Sequence, residues 1–176
     1  CWTHRANGIY GEMMFAAIIA AAFVVSSPVE LVRIGLSEIP KHCKLAEACR
    51  AALVKMPQCE NFEVYMDWVQ EHYGDLHGVH TVNNALVVIG SLIFGETDFH
   101  QSICRAVEGG WDTDCNGATV GGLFGLANGE IPLKWTDPWR GKVNTTISGI
   151  GELSLENLIQ RTENLQENIS SQLKKS

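Results

Sequence analysis

The chain has 176 residues, 45% of them hydrophobic and 19% charged, with a formal net charge of -7. That length supports one domain with a sizeable core, and an acidic chain with no basic stripe excludes nucleic acid as the expected partner. Six cysteines occur without a C-x-x-C pair, and no secretory signal is seen, so reduced thiols in a cytoplasmic protein are the expectation.

The first long apolar stretch, Glu12 to Val25, is apolar throughout after its first residue and shorter than the roughly 20 residues a membrane span needs. It reads as a core helix surrounded by other helices, so no membrane partner is expected. Ser26-Ser27-Pro28 carries a serine cap with proline at the first helical position, and a helix follows to about Leu36. Lys41 to Met56 places Leu45, Ala48, Cys49, Ala52, Leu53 and Met56 at amphipathic spacing before Pro57 ends it. Phe62 to Tyr73 repeats the pattern with Val64, Tyr65, Trp68, Val69 and Tyr73.

Gly74 to Thr81 is a polar loop holding Asp75, His77 and His80. A histidine and carboxylate cluster is zinc chemistry, but the spacing fits a loop beside an active site better. Asn83 and Asn84 open an apolar helix to Phe94 and read as scaffold that satisfies backbone groups. Thr97-Asp98 caps a short helix, Phe99 to Val107, with Ile103, Ala106 and Val107 facing inward. After Gly129 come Pro132, Trp135, Pro138 and Trp139. The two indoles either stack on a nucleobase or pack as a lid. Ser154 then starts a last helix through Leu158, Ile159 and Leu165, and a polar tail from Gln166 to Ser176 is expected to fray.

The most informative stretch is Gly109 to Gly129, GGWDTDCNGATVGGLFGLANG. Gly117, Gly121 and Gly125 recur every fourth residue of what reads as a helix, with Ala118 and Gly122 alongside. Interior glycines cost a helix about 0.5–1 kcal/mol each, so the spacing predicts a buried helix closely approached by its neighbours. Asp112 and Asp114 stand at its N-terminus, where unpaired N–H groups favour carboxylates. In an extended segment residues i and i+2 project to one side, which aims both carboxylates at a hard cation such as Mg²⁺, Mn²⁺ or Ca²⁺. The plainer reading of an aspartate here is a helix N-cap.

Gly110-Trp111-Asp112-Thr113-Asp114-Cys115-Asn116-Gly117 resembles the C-terminal metal motif of the ADP-ribosylglycohydrolase family, G-G-D-T-D-T followed by a small-residue helix. Thr3-His4 followed by Asn7-Gly8-Ile9-Tyr10-Gly11 resembles that family's segment lining the ADP-ribose site, and His80 to Phe94 is similar to a further segment of its members. The resemblance implies magnesium-dependent hydrolysis of ADP-ribosyl linkages on protein or small-molecule acceptors, with two Mg²⁺ ions in the complete site and Mn²⁺ as a substitute. It implies metal ligation by Asp112 and Asp114; Cys115 stands where many members have threonine and is a doubtful ligand, since a soft thiol binds Mg²⁺ poorly, and the preferred reading is that it packs the start of the glycine-faced helix. Substrate binding falls to His4, Asn7, Gly8, Tyr10 and Trp111. The indole of Trp111, where many members have a second glycine, either packs on substrate or closes the site.

The family's N-terminal acidic motif, T-D-D-T, and its catalytic acid are not found in this chain. The chain is therefore expected to be the C-terminal portion of one all-α, multi-helix domain, residues 1–165, followed by the tail 166–176, with no sheet. It would supply half of a binuclear metal site and be inactive in isolation. A non-catalytic ADP-ribose or nucleotide-binding module and a crystallin-like structural helical protein are the alternatives.

Overall fold

The computed structural model describes residues 4–128 and 131–173. Thr3, Gly129 and the last three residues of the expected tail lie outside them. The chain divides into two compact units, 1–130 and 131–176.

The first unit is helical: α1 (Asn7–Ala21), α2 (Pro28–Ser37), α3 (Lys44–Lys55), a 3-10 turn (Met56–Gln58), α4 (Phe62–Tyr73), α5 (Thr81–Phe94), α6 (Phe99–Glu108) and α7 (Thr113–Asn128). Side-chain caps explain where most of these helices begin. Ser27 Oγ accepts from Glu30 N–H at 3.4 Å with Pro28 at the first helical position. Asn61 and Asp98 cap α4 and α6 in the same way, and His80 Nδ1 accepts from Val82 N–H to start α5. Each such cap contributes about 0.5–2 kcal/mol.

Helix α5 is the centre of this unit. It touches α1, α2, α3, α4, α6 and α7, and every residue from Ala85 to Leu92 is buried. Polar groups inside this core have partners: Ser91 Oγ donates to the Val87 carbonyl, and the Tyr65 hydroxyl donates to the Leu86 carbonyl at 3.0 Å. The Tyr65 ring stacks on Trp68 and meets Phe62 and Phe94. The ring comes so close to α5 that a Cβ at Gly90 would collide with it. Helices α1 and α2 meet similarly at Gly35, where a Cβ would lie 2.7 Å from Ile18 Cγ1.

Several sequence expectations change here. It is α5, not α1, that helices surround: α1 buries Gly11, Met14 and Ile18 but leaves Met13 and Ile19 more than 40% exposed. Val107 is half exposed, while Ala106 is fully buried and Ile103 partly so. The glycines of α7 at 117, 121 and 122 do not mediate close helix contact either. Nothing stands within 4 Å of a Cβ built at Gly117 or Gly122, and at Gly121 the nearest atom is Ile103 Cδ1 at 3.4 Å. What α7 buries is Asn116, Val120, Leu123 and Phe124.

The second unit holds α8 (Leu133–Thr136), a 3-10 turn (Asp137–Trp139), β1 (Lys142–Asn144), β2 (Glu152–Ser154) and α9 (Leu155–Leu173). The strands form an antiparallel hairpin pairing Lys142 with Ser154 and Asn144 with Glu152. This hairpin departs from the expectation of no sheet, since three-residue strands are too short to show an alternating pattern; the fold class remains all-α. Ser154 Oγ accepts from Asn157 N–H to begin α9 as its sequence suggests. The helix then continues to Leu173, so residues 166–173 of the expected tail are helical. No helix among the described residues is long and apolar enough to cross a membrane.

Two outcomes follow from the core of the first unit. Gly90→Ala forces the buried, hydrogen-bonded Tyr65 ring to move, an overpacking cost of about 1–3 kcal/mol against about 0.5–1 kcal/mol of helix propensity gained. Urea unfolding should show net destabilisation, and equal or greater stability would contradict the close approach. The second concerns Cys49, whose thiol is pushed up to about 12 by burial first and by Cys43 second. A folded-state value above the unfolded one means that the protonated thiol stabilises the native state. That contribution is complete below pH 9.0, where the unfolded thiol titrates, and is lost as pH rises toward about 12. Burial also raises Tyr65 well above 10.0, which extends the alkaline loss. Melting temperature should hold to about pH 9 and then fall, with a shallower initial slope in Cys49→Ala.

Candidate metal centre

The acidic motif lies in the turn between α6 and α7. Gly109 closes α6 through its N–H to the Arg105 carbonyl, and a Cβ there would lie 2.6 Å from Val87 Cγ1 on α5. The chain then turns through two left-handed residues, Gly110 at φ 76 and Trp111 at φ 55. Glycine adopts this region freely, whereas a bulky residue is strained. The Asp112 carbonyl accepts the first helical bond of α7, from Asn116 N–H at 2.9 Å. Asp112 thus occupies the N-cap position, and Asp114 follows in the first turn.

This geometry replaces the extended approach expected from the sequence. The two carboxylates converge because the helix begins between them, not because they share the side of a strand. Ligand atoms of Asp112, Asp114 and Cys115 all lie within 4.8 Å of one another, the only such group among the described residues. Asp112 is half-buried, and Asp114 and Cys115 are exposed. The Cys115 thiol is held above its ordinary value, first by its hydrogen bond to the Asp112 carboxylate and then by that carboxylate's charge. The donor set fits a hard divalent ion: two carboxylates at the positive end of a helix, with the sulfur protonated and turned to Asp112. Packing the start of α7, a role the sequence also allows for Cys115, does not fit a side chain in solvent.

Beside the acidic group runs a groove of about 640 Å³. One wall is α1 and the segment before it, with His4, Gly8, Glu12, Phe15 and Ile19; the floor includes Thr81, Asn84 and Val88 of α5; the other wall is Asp112, Cys115, Ala118, Gly122 and Leu126. The structure therefore brings His4 and Gly8 to the same groove as Asp112 and Cys115. Asn7, Tyr10 and Trp111 do not line it. The Asn7 Oδ1 accepts from Leu45 N–H at 3.1 Å and satisfies the start of α3. Tyr10 and Trp111 pack against the core. His77 and His80 join no metal-binding group among the described residues, but Val79 of their loop lines the groove. Trp135 and Trp139 belong to the second unit, with Trp139 exposed.

Glu12 and Asn116 are groove residues that sequence reasoning did not single out. Glu12 is the one charged side chain of α1, and a lone charge on an apolar helix was the available signal. Asn116 lies between the acidic pair and the glycines, and its burial next to the motif is visible only in three dimensions.

The ADP-ribosylglycohydrolase family profile matches residues 1–168, and no curated protein and no solved structure matches the chain. That family is helical, metal-dependent and acts on ADP-ribosylated substrates, which agrees with the helical first unit and its acidic group beside a groove. With the match covering nearly its whole length, the chain belongs to the ADP-ribosylglycohydrolase family.

Proposed function

We propose that this chain contributes the C-terminal half of a magnesium-dependent ADP-ribosyl hydrolase site, with Asp112 and Asp114 as metal ligands and the adjoining groove as the seat of the ADP-ribose. The observation that carries this reading is the convergence of both carboxylates within 4.8 Å, with Asp112 on the wall of a groove that His4 and Gly8 also line. Cleavage at the anomeric carbon passes through an oxocarbenium-like transition state that needs nearby negative charge and oriented ribose hydroxyls. When bound, Mg²⁺ supplies Lewis acidity and a template for those hydroxyls.

The chain's own residues have separate tasks in this reading. Asp112 and Asp114 hold the ion beside the partial positive charge of the α7 N-terminus, which favours carboxylates at that end of the helix. Gly8, bare of a Cβ, leaves room for the His4 side chain to pack over it, and that packing sets His4 on the groove wall against which the ligand would lie. Phe15 and Ile19 on one wall and Leu126 on the other give the groove apolar surface that excludes water. Asn7, Tyr10 and Trp111 act from behind by fixing the walls. Two carboxylates do not fill two near-octahedral shells, so the remaining ligands and the proton-transferring acid come from an N-terminal acidic motif. The chain alone should bind Mg²⁺ or Mn²⁺ weakly and turn over negligibly.

In a protein joining this chain to such a motif, Asp112→Asn or Asp114→Asn should abolish Mg²⁺-dependent release of ADP-ribose and leave the helical circular dichroism spectrum unchanged. Wild-type turnover in both variants would remove the ligand assignment, and ADP-ribose binding without release in the unaltered protein would favour the non-catalytic module. Cys115→Thr places a hard oxygen where a soft sulfur stands. The half-saturating Mg²⁺ concentration should fall about tenfold, equivalent to about 1.4 kcal/mol, and an unchanged value would show that position 115 is not a ligand.

A further inference from the structure

Asn84 lies in the first turn of α5 and lines the groove, yet the protein itself takes every hydrogen-bonding position of its carboxamide. Its Oδ1 accepts from the Asp112 backbone N–H at 3.1 Å and from Asn116 Nδ2 at 2.9 Å. Its Nδ2 donates to the Gly78 carbonyl at 2.8 Å and to the His80 carbonyl at 3.0 Å. A carboxamide has two donor hydrogens and two acceptor lone pairs, so all four are used and none is left for a substrate. The orientation is fixed as well, since a flipped amide would set Nδ2 against the Asp112 N–H and its oxygen against two carbonyls.

The four partners belong to the loop ahead of α5, the turn ahead of α7 and the first turn of α7. That second segment is the one that needs an external hold. Gly110 and Trp111 are both left-handed, and a non-glycine residue keeps such a conformation only where its surroundings impose it. The N–H that follows them, that of Asp112, ends on Asn84. The anchor itself cannot shift, because the residues beyond it on α5 are buried on all sides.

We propose that Asn84 is a positioning residue for the metal-binding carboxylates, setting the Asp112 backbone and, through Asn116, the first turn of α7 on the rigid helix α5. This rests on the reading of Asp112 and Asp114 as ligands. Partners that orient the groups around a metal typically account for ten- to a hundredfold in metal affinity. The inference also bears on the 78–80 loop, which the same carboxamide ties to the acidic turn.

The test is Mn²⁺ binding by the full chain, followed by paramagnetic broadening of assigned amide resonances, in wild type, Asn84→Ala, Asp112→Asn and Gly90→Ala. Gly90→Ala is the control for lost stability, as it strains the far end of α5 away from the groove. Asn84→Ala should weaken Mn²⁺ binding about ten- to a hundredfold, and Gly90→Ala should stay within about threefold of wild type despite its lower melting temperature. In the metal-free chain, Asn84→Ala should also speed hydrogen exchange at the Asp112 N–H. Should that variant not fold, Asn116→Leu keeps the volume and removes one donor to Asn84, and a loss of at least about threefold is expected. Unchanged Mn²⁺ binding in the folded variant, or an equal loss in Gly90→Ala, overturns the positioning role. Failure of the ligand assignment looks different: wild type then binds no Mn²⁺, or Asp112→Asn binds it as well as wild type does, while the Asp112 exchange rate still reports whether Asn84 holds the turn.

Discussion

The burial of α5 on all sides is the constraint from which the rest of the first unit follows. A helix whose residues from Ala85 to Leu92 are all buried leaves its neighbours little room to slide, and interiors at crystal-like density transmit displacement rather than absorb it. The two ends of α5 therefore act as fixed points. Toward the C-terminal end, Gly90 admits the Tyr65 ring and locks α4 in place. Nearer the N-terminus, Val87 meets Gly109 and fixes where α6 must stop. The acidic turn begins at that stop, so the position of Asp112 is inherited from core packing before any ion enters the account.

Trp111 shows how that inheritance is balanced energetically. A left-handed residue with a side chain costs about 1–2 kcal/mol, and many relatives by motif avoid the cost with a second glycine. Here the turn keeps its shape with an indole, which packs against the core, and burial of an aromatic contributes more than the strain removes. The Asp112 N–H bond to Asn84 adds about 0.5–1.5 kcal/mol. Strain at position 111 is thus offset by core contacts of an indole that does not line the groove and by the hold on the next residue, which explains how Trp111 can differ from the common motif without altering the groove wall.

Local chemistry was legible in the sequence wherever one or two residues decide the outcome. Ser27-Pro28, Asp98 and Ser154 each mark a helix start through a cap that a single side chain makes, and the paired aspartates mark the acidic group at the start of α7. Choices between equivalent candidates were not legible. The α1 and α5 stretches are both apolar nearly throughout, and nothing in either says which will be enclosed, because enclosure depends on how many other elements arrive. Asn84 was legible as scaffold but not as to what it supports, since its partners at Asp112 and Asn116 are 28 and 32 residues away. The hairpin of the second unit was hidden by its length, as two three-residue strands leave no period to detect.

The glycines of α7 at 117, 121 and 122 carry a different lesson, because the cost argument holds there without the close approach it implied. Glycine in a helix must be compensated, and close packing is one compensation; an unobstructed surface is another. Gly122 and Ala118 line the groove, and nothing protein-borne lies within 4 Å of a Cβ at Gly122. A larger side chain there would project into the space beside Asp112 and Cys115 rather than into a neighbouring helix. The small residues therefore hold the groove open, and the buried face of α7 is carried by Val120, Leu123 and Phe124. Packing and vacancy leave the same mark on a sequence, a run of small residues at helical spacing. Only the position of the neighbours separates them, and here those neighbours are arranged around α5.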